Sequence, residues 1–321
     1  MKPIVVQTEN LPQICSDWLA EHCELHVCPV DSLRFKELLP AVEGLAIRTY
    51  TSITKELLDQ TPKLKVVGRA GVGVDNIDLL ACEEKNVSVV HTPDANANSV
   101  VEFVLTTMLS HLRNLKIVDK PLKPSEWNAL RDSCVTPKEF SETTIGIIGF
   151  GRIGSRLGKL SSSLGFNVVF HDLLKIEDTH DCEQVELAQL LSMSDVVSVH
   201  VDGRIENKHL CGTSVFEQTK PTMLFINASR GFIVDAYALA DFLLHHPNAN
   251  AILDVHDPEP ITSEYPLLHT QNAKLFPHIA CKTTTATTNM GWVVRDIVAV
   301  LQGNTPRFEI KKPEQTTKKE C

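Results

Sequence analysis

Through the first ninety or so positions, short apolar runs recur: IVVQT, ELHVC, GLAIRT, KLKVVGRA and VSVVHTP. Segments with helical or polar character, such as DSLRFKELL and NIDLLACEEK, separate them. This alternation predicts a parallel sheet with crossover helices. A second set begins at Thr144 and runs to about residue 283, with probable strands TIGIIG, NVVFHD, VVSVHV, MLFINAS, ANAILDV and KLFPHIA. Its spacing matches a doubly wound sheet. Between the two sets, NSVVEFVLTTMLSHLRNL reads as one long helix, with Val101, Val104, Leu105, Met108 and Leu112 on a single apolar stripe. Ser99 and Glu102 have the spacing of a capping box. A turn-rich stretch, KPLKPSEWNALRDSCVTPKEFSET, follows it. Near the end, NMGWVVRDIVAVLQG is amphipathic and stops at Gly303, and KKPEQTTKKEC is charged enough that disorder is expected. At 321 residues the chain exceeds what one core usually supports. The expected fold class is therefore α/β, with two doubly wound parallel-sheet domains. One comprises residues 1–97 and 285–321, with a disordered tail from about 310, and the other residues 98–284.

Composition narrows the class. Hydrophobic residues make up 43% of the chain, and no uncharged apolar run nears the length of a bilayer span, so a globular protein with no membrane partner is expected. The opening MKPIVVQTEN resembles a first strand more than a secretory signal, which points to the cytoplasm. A net charge of −9 disfavours nucleic acid, whose phosphates need a basic face, and means that an anionic substrate must be held by local arginines. Nine cysteines occur without a CxxC pair or cysteine–histidine ligand spacing, so free thiols and no metal site are expected.

The sharpest local signal is TIGIIGFGRIGSRLGKLSSSLGFNVVFHD. Gly149, Gly151 and Gly154 form GxGxxG directly between an apolar strand and a helix. The first glycine permits a tight turn, the second lets a pyrophosphate approach the backbone, and the third lets helix and strand pack closely. Arg152 and Ile153 complete the candidate cofactor-binding turn. Asp172 ends the next strand, where a carboxylate can accept the ribose hydroxyls. Leu173 and Leu174 follow it and no arginine does, which favours NAD over NADP.

Beyond that turn, three strand ends offer further chemistry: Arg230 in LFINASRG, Glu259 in LDVHDPEP and His278 in LFPHIA. Hydride transfer to or from a 2-hydroxy acid needs a proton carrier, a group that tunes it, and a cation for the carboxylate or carbonyl. Taken singly, the histidine could be structural, the arginine an ion-pair partner and the glutamate an exposed turn residue. In an open α/β sheet, however, ligands bind beyond the carboxyl ends of the strands, where all three can converge.

In this order FINASRGFIVD, ANAILDVHDPEP and PHIACKT resemble the arginine, acidic and histidine signatures of the D-2-hydroxyacid dehydrogenase family, a likeness extending over roughly residues 40 to 305. The resemblance implies a Rossmann NAD-binding domain inserted in a flavodoxin-like substrate domain, and a homodimer that buries the helix near residues 99–114. It implies that Arg230 binds substrate carboxylate and carbonyl, that His278 is the acid/base, and that Glu259 pairs with it. A neighbouring carboxylate favours the imidazolium that carbonyl reduction requires. Ser229 and Asp254 would contact the cofactor, Asp254 at the nicotinamide carboxamide. KVVGRAGVGVDNIDL is similar to the family's carboxylate-binding turn, with the amides of Val72 and Gly73 as donors.

Arg69, with Arg48 in LAIRTYT, looks like the pair in the phosphoglycerate dehydrogenase branch, since guanidinium forks suit phosphate oxygens. The expected reaction is oxidation of D-3-phosphoglycerate to 3-phosphohydroxypyruvate, as in serine biosynthesis, without feedback through a further C-terminal regulatory domain. A glyoxylate or hydroxypyruvate reductase and a non-catalytic NAD-sensing interaction protein are the alternatives. Three positions depart from the family pattern. Asp202 in VHVDGR calls for a cation such as Arg204, His256 replaces an aromatic residue, and Cys281 replaces a glycine as an oxidation-sensitive or a buried, inert thiol.

Overall fold

Every apolar run named above contributes a strand to the structure, a computed structural model that describes residues 2–310. The charged tail from Lys311, and with it the expectation of disorder there, lies outside the described residues. The chain separates into two compact units, one formed by the segment up to Asn96 and the segment from Lys282, the other by Ala97–Cys281.

The first unit holds a five-stranded sheet of β1 (Ile4–Gln7), β2 (Glu24–Val27), β3 (Gly44–Ile47), β4 (Val66–Arg69) and β5 (Ser88–Val90). All neighbours are parallel and the order is β2-β1-β3-β4-β5, the flavodoxin-like arrangement. β3 is apolar throughout and β4 up to Arg69, because both of their faces are covered. Val6, Leu45, Ile47 and Val67 sit in the core with Phe35, Leu38 and Ile53. The returning helix Val293–Leu301 packs on β3 and β4, and only a glycine at position 68 leaves room for Ile297, because an added Cβ would collide with that side chain. Ile47 pairs with Arg69, so Arg48 and Arg69 lie at the same carboxyl end of adjacent strands.

The second unit holds seven parallel strands: β6 (Thr144–Ile148), β7 (Asn167–His171), β8 (Glu183–Gln184), β9 (Val196–Val199), β10 (Leu224–Asn227), β11 (Asn250–Leu253) and β12 (Ala273–Leu275). The order β12-β11-β10-β9-β6-β7-β8 reverses direction between β6 and β9, which makes the carboxyl ends of these two strands the switch point of a Rossmann sheet. Apolar clusters cover both faces, one around Leu190, Val197 and Phe225, the other around Ile145, Ile147 and Phe170. The two-residue strand β8 was not foreseen, because two polar residues carry no apolar period.

The long helix spans Ala97–Leu112, with Val100, Val101, Val104 and Met108 turned into the core of its own unit. Ser99 is a buried residue inside its first turn, so the anticipated capping box does not form. Burial of Ala97 and Val100 carries the helix start past the polar signal. The helix Pro124–Ser133 buries none of its residues, and Leu115, Ile117 and Val135 nearby are 77%, 90% and 78% exposed. No helix among the described residues is long and apolar enough to cross a membrane.

Candidate active site

At the end of β6 the chain turns at Gly149, whose φ of +90° suits glycine. A Cβ there would stand 2.9 Å from the carbonyl of His200, and one at Gly154 would collide with the Gly149 carbonyl. The helix Arg152–Ser163 is thereby seated directly on the turn. Gly151 differs, because its Cβ would meet nothing within 4 Å. That open side faces a helix start with no side-chain cap, where Arg152, Ile153 and Gly154 present first-turn amides. N–H groups at the positive end of a helix dipole form an anion site, so this geometry fits a pyrophosphate. Asp172, just past β7, accepts from Phe150 N at 2.7 Å and from Leu174 N at 3.0 Å, which pins its carboxylate beside the turn. Leu173 and Leu174 are exposed, and neither supplies a cation for a 2′-phosphate.

The ends of β10, β11 and β12 lie side by side. Beyond β10, Asn227 Oδ1 accepts from Ser229 N at 3.0 Å and from Ser229 Oγ at 2.8 Å, and Asn227 Nδ2 donates to the Arg230 carbonyl at 2.9 Å. This turn fixes the backbone of Arg230, whose Nη1 donates to Ser229 O at 2.7 Å. Gly231 then packs on the His256–Asp257 peptide so closely that a Cβ would collide with it. The arginine turn and the glutamate turn are therefore in contact.

Asp254 follows β11 directly and is 1% exposed. Its oxygens accept from Ile279 N at 2.7 Å and Ala280 N at 2.8 Å, and its carbonyl accepts from His278 N at 2.9 Å. Burial raises its carboxyl above the usual range, against the pull of the two amides. Asp254 thus shapes the turn that holds His278, a residue with φ of +54°. His278 Nδ1 lies 2.8 Å from Glu259 Oε2, while Glu259 Oε1 accepts from His256 N, also at 2.8 Å. Desolvation alone would raise Glu259. The hydrogen bonds from His278 and from the His256 backbone outweigh it, and the carboxyl is held below its ordinary value. With Nδ1 engaged and the side chain 36% exposed, Nε2 is the nitrogen of His278 able to exchange a proton with a ligand.

The three departures have structural partners or partial cover. Arg204 forks onto Asp202, with Nε to Oδ1 at 2.7 Å and Nη2 to Oδ2 at 2.5 Å, which supplies the anticipated cation and lowers the acid. His256 is buried and spans Phe276 O at 2.8 Å and Tyr265 Oη at 3.3 Å, filling an aromatic place with a ring bonded on both sides. Cys281 is partly buried.

One residue escaped the sequence reading. His200 follows β9 at the switch point and bonds Ser198 Oγ through Nε2 at 2.8 Å, while its buried Nδ1 has no partner among the described residues. Burial pushes it down to about 4. The only sequence signal was a histidine closing an apolar strand beside the glycine turn.

In the first unit, Arg48 Nη1 donates to Asn10 O at 3.2 Å, and Arg69 folds over Gly71, where a Cβ would displace its guanidinium. The turn after β4 is tied through its carbonyls. Gly71 O accepts from Thr92 N and Oγ1, and Val72 O is bonded by His91 Nδ1 at 2.7 Å. The amides of Val72 and Gly73 donate to no atom among the described residues. The structure therefore groups Arg230, Asp254, Glu259 and His278 on one sheet edge, and Arg48, Arg69, Val72 and Gly73 at the carboxyl end of the other sheet.

Known proteins resemble this chain over most of its length. A family model described as "D-isomer specific 2-hydroxyacid dehydrogenase, NAD binding domain" matches residues 105–280. The chain is 34% identical over 279 residues to a D-3-phosphoglycerate dehydrogenase of Archaeoglobus fulgidus, covering 86% of this chain and 52% of that one. It is 31% identical over 322 residues to a glyoxylate reductase of Thermofilum pendens, covering 97% and 95% respectively. A crystal structure of D-lactate dehydrogenase from Aquifex aeolicus, complexed with NAD and lactic acid, matches with a TM-score of 0.80 at 25% identity, over 94% of this chain and 96% of that one. The chain spans only 52% to 66% of the length of the phosphoglycerate dehydrogenases it matches.

Proposed function

The chain belongs to the D-isomer specific 2-hydroxyacid dehydrogenases, and from this we propose that it interconverts a 2-hydroxy acid and its 2-keto acid, with His278 as proton carrier. The observation that carries the reading is the 2.8 Å contact of His278 Nδ1 with Glu259, on the sheet edge that also presents Arg230. When bound, NAD supplies the hydride acceptor. His278 Nε2 takes the hydroxyl proton during oxidation and returns it during reduction. Glu259 holds the ring and balances the imidazolium. Arg230 pairs with the substrate carboxylate and stabilises charge on the carbonyl oxygen. Gly149, Gly151, Arg152, Ile153, Gly154, Asp172, Ser229 and Asp254 form the cofactor-binding set, and the Val72 and Gly73 amides receive the carboxylate.

For substrate we propose D-3-phosphoglycerate, with Arg48 and Arg69 on its phosphate. The 31% identity to a glyoxylate reductase along nearly the whole of both chains favours a second reading, an unphosphorylated keto acid. We also propose a homodimer. The long helix spends its apolar stripe on its own core, so the support comes from the uncovered apolar residues that follow it, Leu115, Ile117 and Val135.

NADH oxidation with 3-phosphohydroxypyruvate, hydroxypyruvate and glyoxylate tests these readings. The phosphorylated acid is expected to give the highest kcat/KM, and equal values would remove the phosphate assignment. His278→Ala is expected to lower the rate by about 10²–10⁴-fold. An unchanged rate would overturn the mechanism.

A further inference from the structure

The segment Arg48–Thr51 after β3 is neither helix nor strand, so its backbone groups must find partners elsewhere. Glu9 supplies the acceptors. Its Oε1 receives the amides of Arg48 at 3.0 Å, Tyr50 at 3.1 Å and Thr51 at 3.0 Å, and its Oε2 receives Thr49 at 3.0 Å. Four consecutive N–H groups thus converge on one carboxylate, a nest built around an internal anion. Asn76 supplies the donors, giving Nδ2 hydrogens to the carbonyls of Arg48 at 3.0 Å and Thr51 at 2.6 Å. Thr8 adds a hydroxyl contact to Thr51 at 2.7 Å. Asn76 belongs to the same segment as Val72 and Gly73, so one side chain joins the arginine loop to the turn with the unused amides. Asn10, beside Glu9, accepts from the Arg48 guanidinium.

We infer that Glu9 and Asn76 are positioning residues that fix the Arg48 guanidinium relative to the Val72–Gly73 turn, and so select a phosphorylated three-carbon acid over its unphosphorylated counterpart. The inference rests on the reading that Arg48 takes the phosphate and the turn takes the carboxylate. Neither residue needs to touch substrate. A glutamine at position 9 would turn an NH₂ toward the nest, or leave amides unpaired, and the loop would relax around it.

The test measures KM and kcat of Glu9→Gln and Asn76→Ser with 3-phosphohydroxypyruvate and with hydroxypyruvate, alongside thermal unfolding and NADH binding. The expected result is a KM for the phosphorylated acid raised about tenfold, with kcat within about twofold and the KM for hydroxypyruvate little changed. A general structural lesion would move both substrates together. If the wild-type protein prefers the phosphorylated acid and folded variants keep that preference, or lose rate equally on both acids, the positioning role is wrong and the substrate reading survives. If the wild-type protein shows no preference, the substrate reading fails and takes this inference with it. Should Glu9→Gln not fold, Asn76→Ser decides alone, because it releases the loop from its carbonyl side.

Discussion

Glu259 has two oxygens, and each meets a different partner: one orients the ring of His278, the other is anchored by the His256 amide. Glu259→Gln keeps the size but loses the charge that balances the imidazolium, so kcat for keto-acid reduction is expected to fall by about 10–100-fold with folding retained. Wild-type kcat in that variant would remove Glu259 from the mechanism. His200 yields a prediction of another kind. Its value in the folded protein is about 4, against 6.5 ordinarily, so between these the unfolded chain binds the extra proton. The contribution of His200 is therefore present above about pH 6.5 and is lost as the pH falls toward 4. Urea unfolding should show a loss of stability between pH 7 and pH 5 that is about 2 kcal/mol greater in the wild-type protein than in His200→Gln. Parallel pH profiles would contradict it. The pairing of His278 with Glu259 was legible because both sit in distinctive runs, whereas His200 lacks such a context and its low value depends on a burial that no local pattern encodes.

The glycine turn and its helix separate two roles that a motif alone merges. Gly154→Ala would drive a methyl into the Gly149 carbonyl, and a loss of at least about 2 kcal/mol in unfolding free energy is expected. Gly151→Ala adds its methyl to open space, so it should cost less than about 1 kcal/mol while weakening NADH binding about tenfold or more. Fluorescence titration with NADH and thermal unfolding distinguish the two. Equal affinity for NADH in Gly151→Ala and the wild type would place the pyrophosphate elsewhere. The turn itself was readable because its glycines sit between an apolar strand and an amphipathic helix. The start of the long helix was not, since Ser99 is drawn into its first turn by burial of the residues around it.

At the scale of the whole molecule, alternation of apolar runs foretold two parallel sheets, whereas the strand orders were implied by the family resemblance and not by the alternation. Period reveals that crossovers exist, not to which side each one passes. The exposed stretch after the long helix was likewise invisible, because its apolar residues are too sparse to mark a face. If it joins two copies, sedimentation equilibrium should return twice the 35.6 kDa chain mass, and Ile117→Asp should shift the protein toward the monomer. A wild-type monomer at micromolar concentration would dispose of that surface.

The helix Val293–Leu301, which covers β3 and β4, is separated from them in sequence by all of Ala97–Cys281. On the ribosome the five strands of the first sheet emerge well before this helix, so one greasy flank stays bare until residues 293–301 have been made. A product halted after Gly291 would own all five strands of that sheet and still lack the lid for that flank, so it is expected to accumulate in the insoluble fraction, and supplying residues 292–310 as a separate peptide should draw it back into solution.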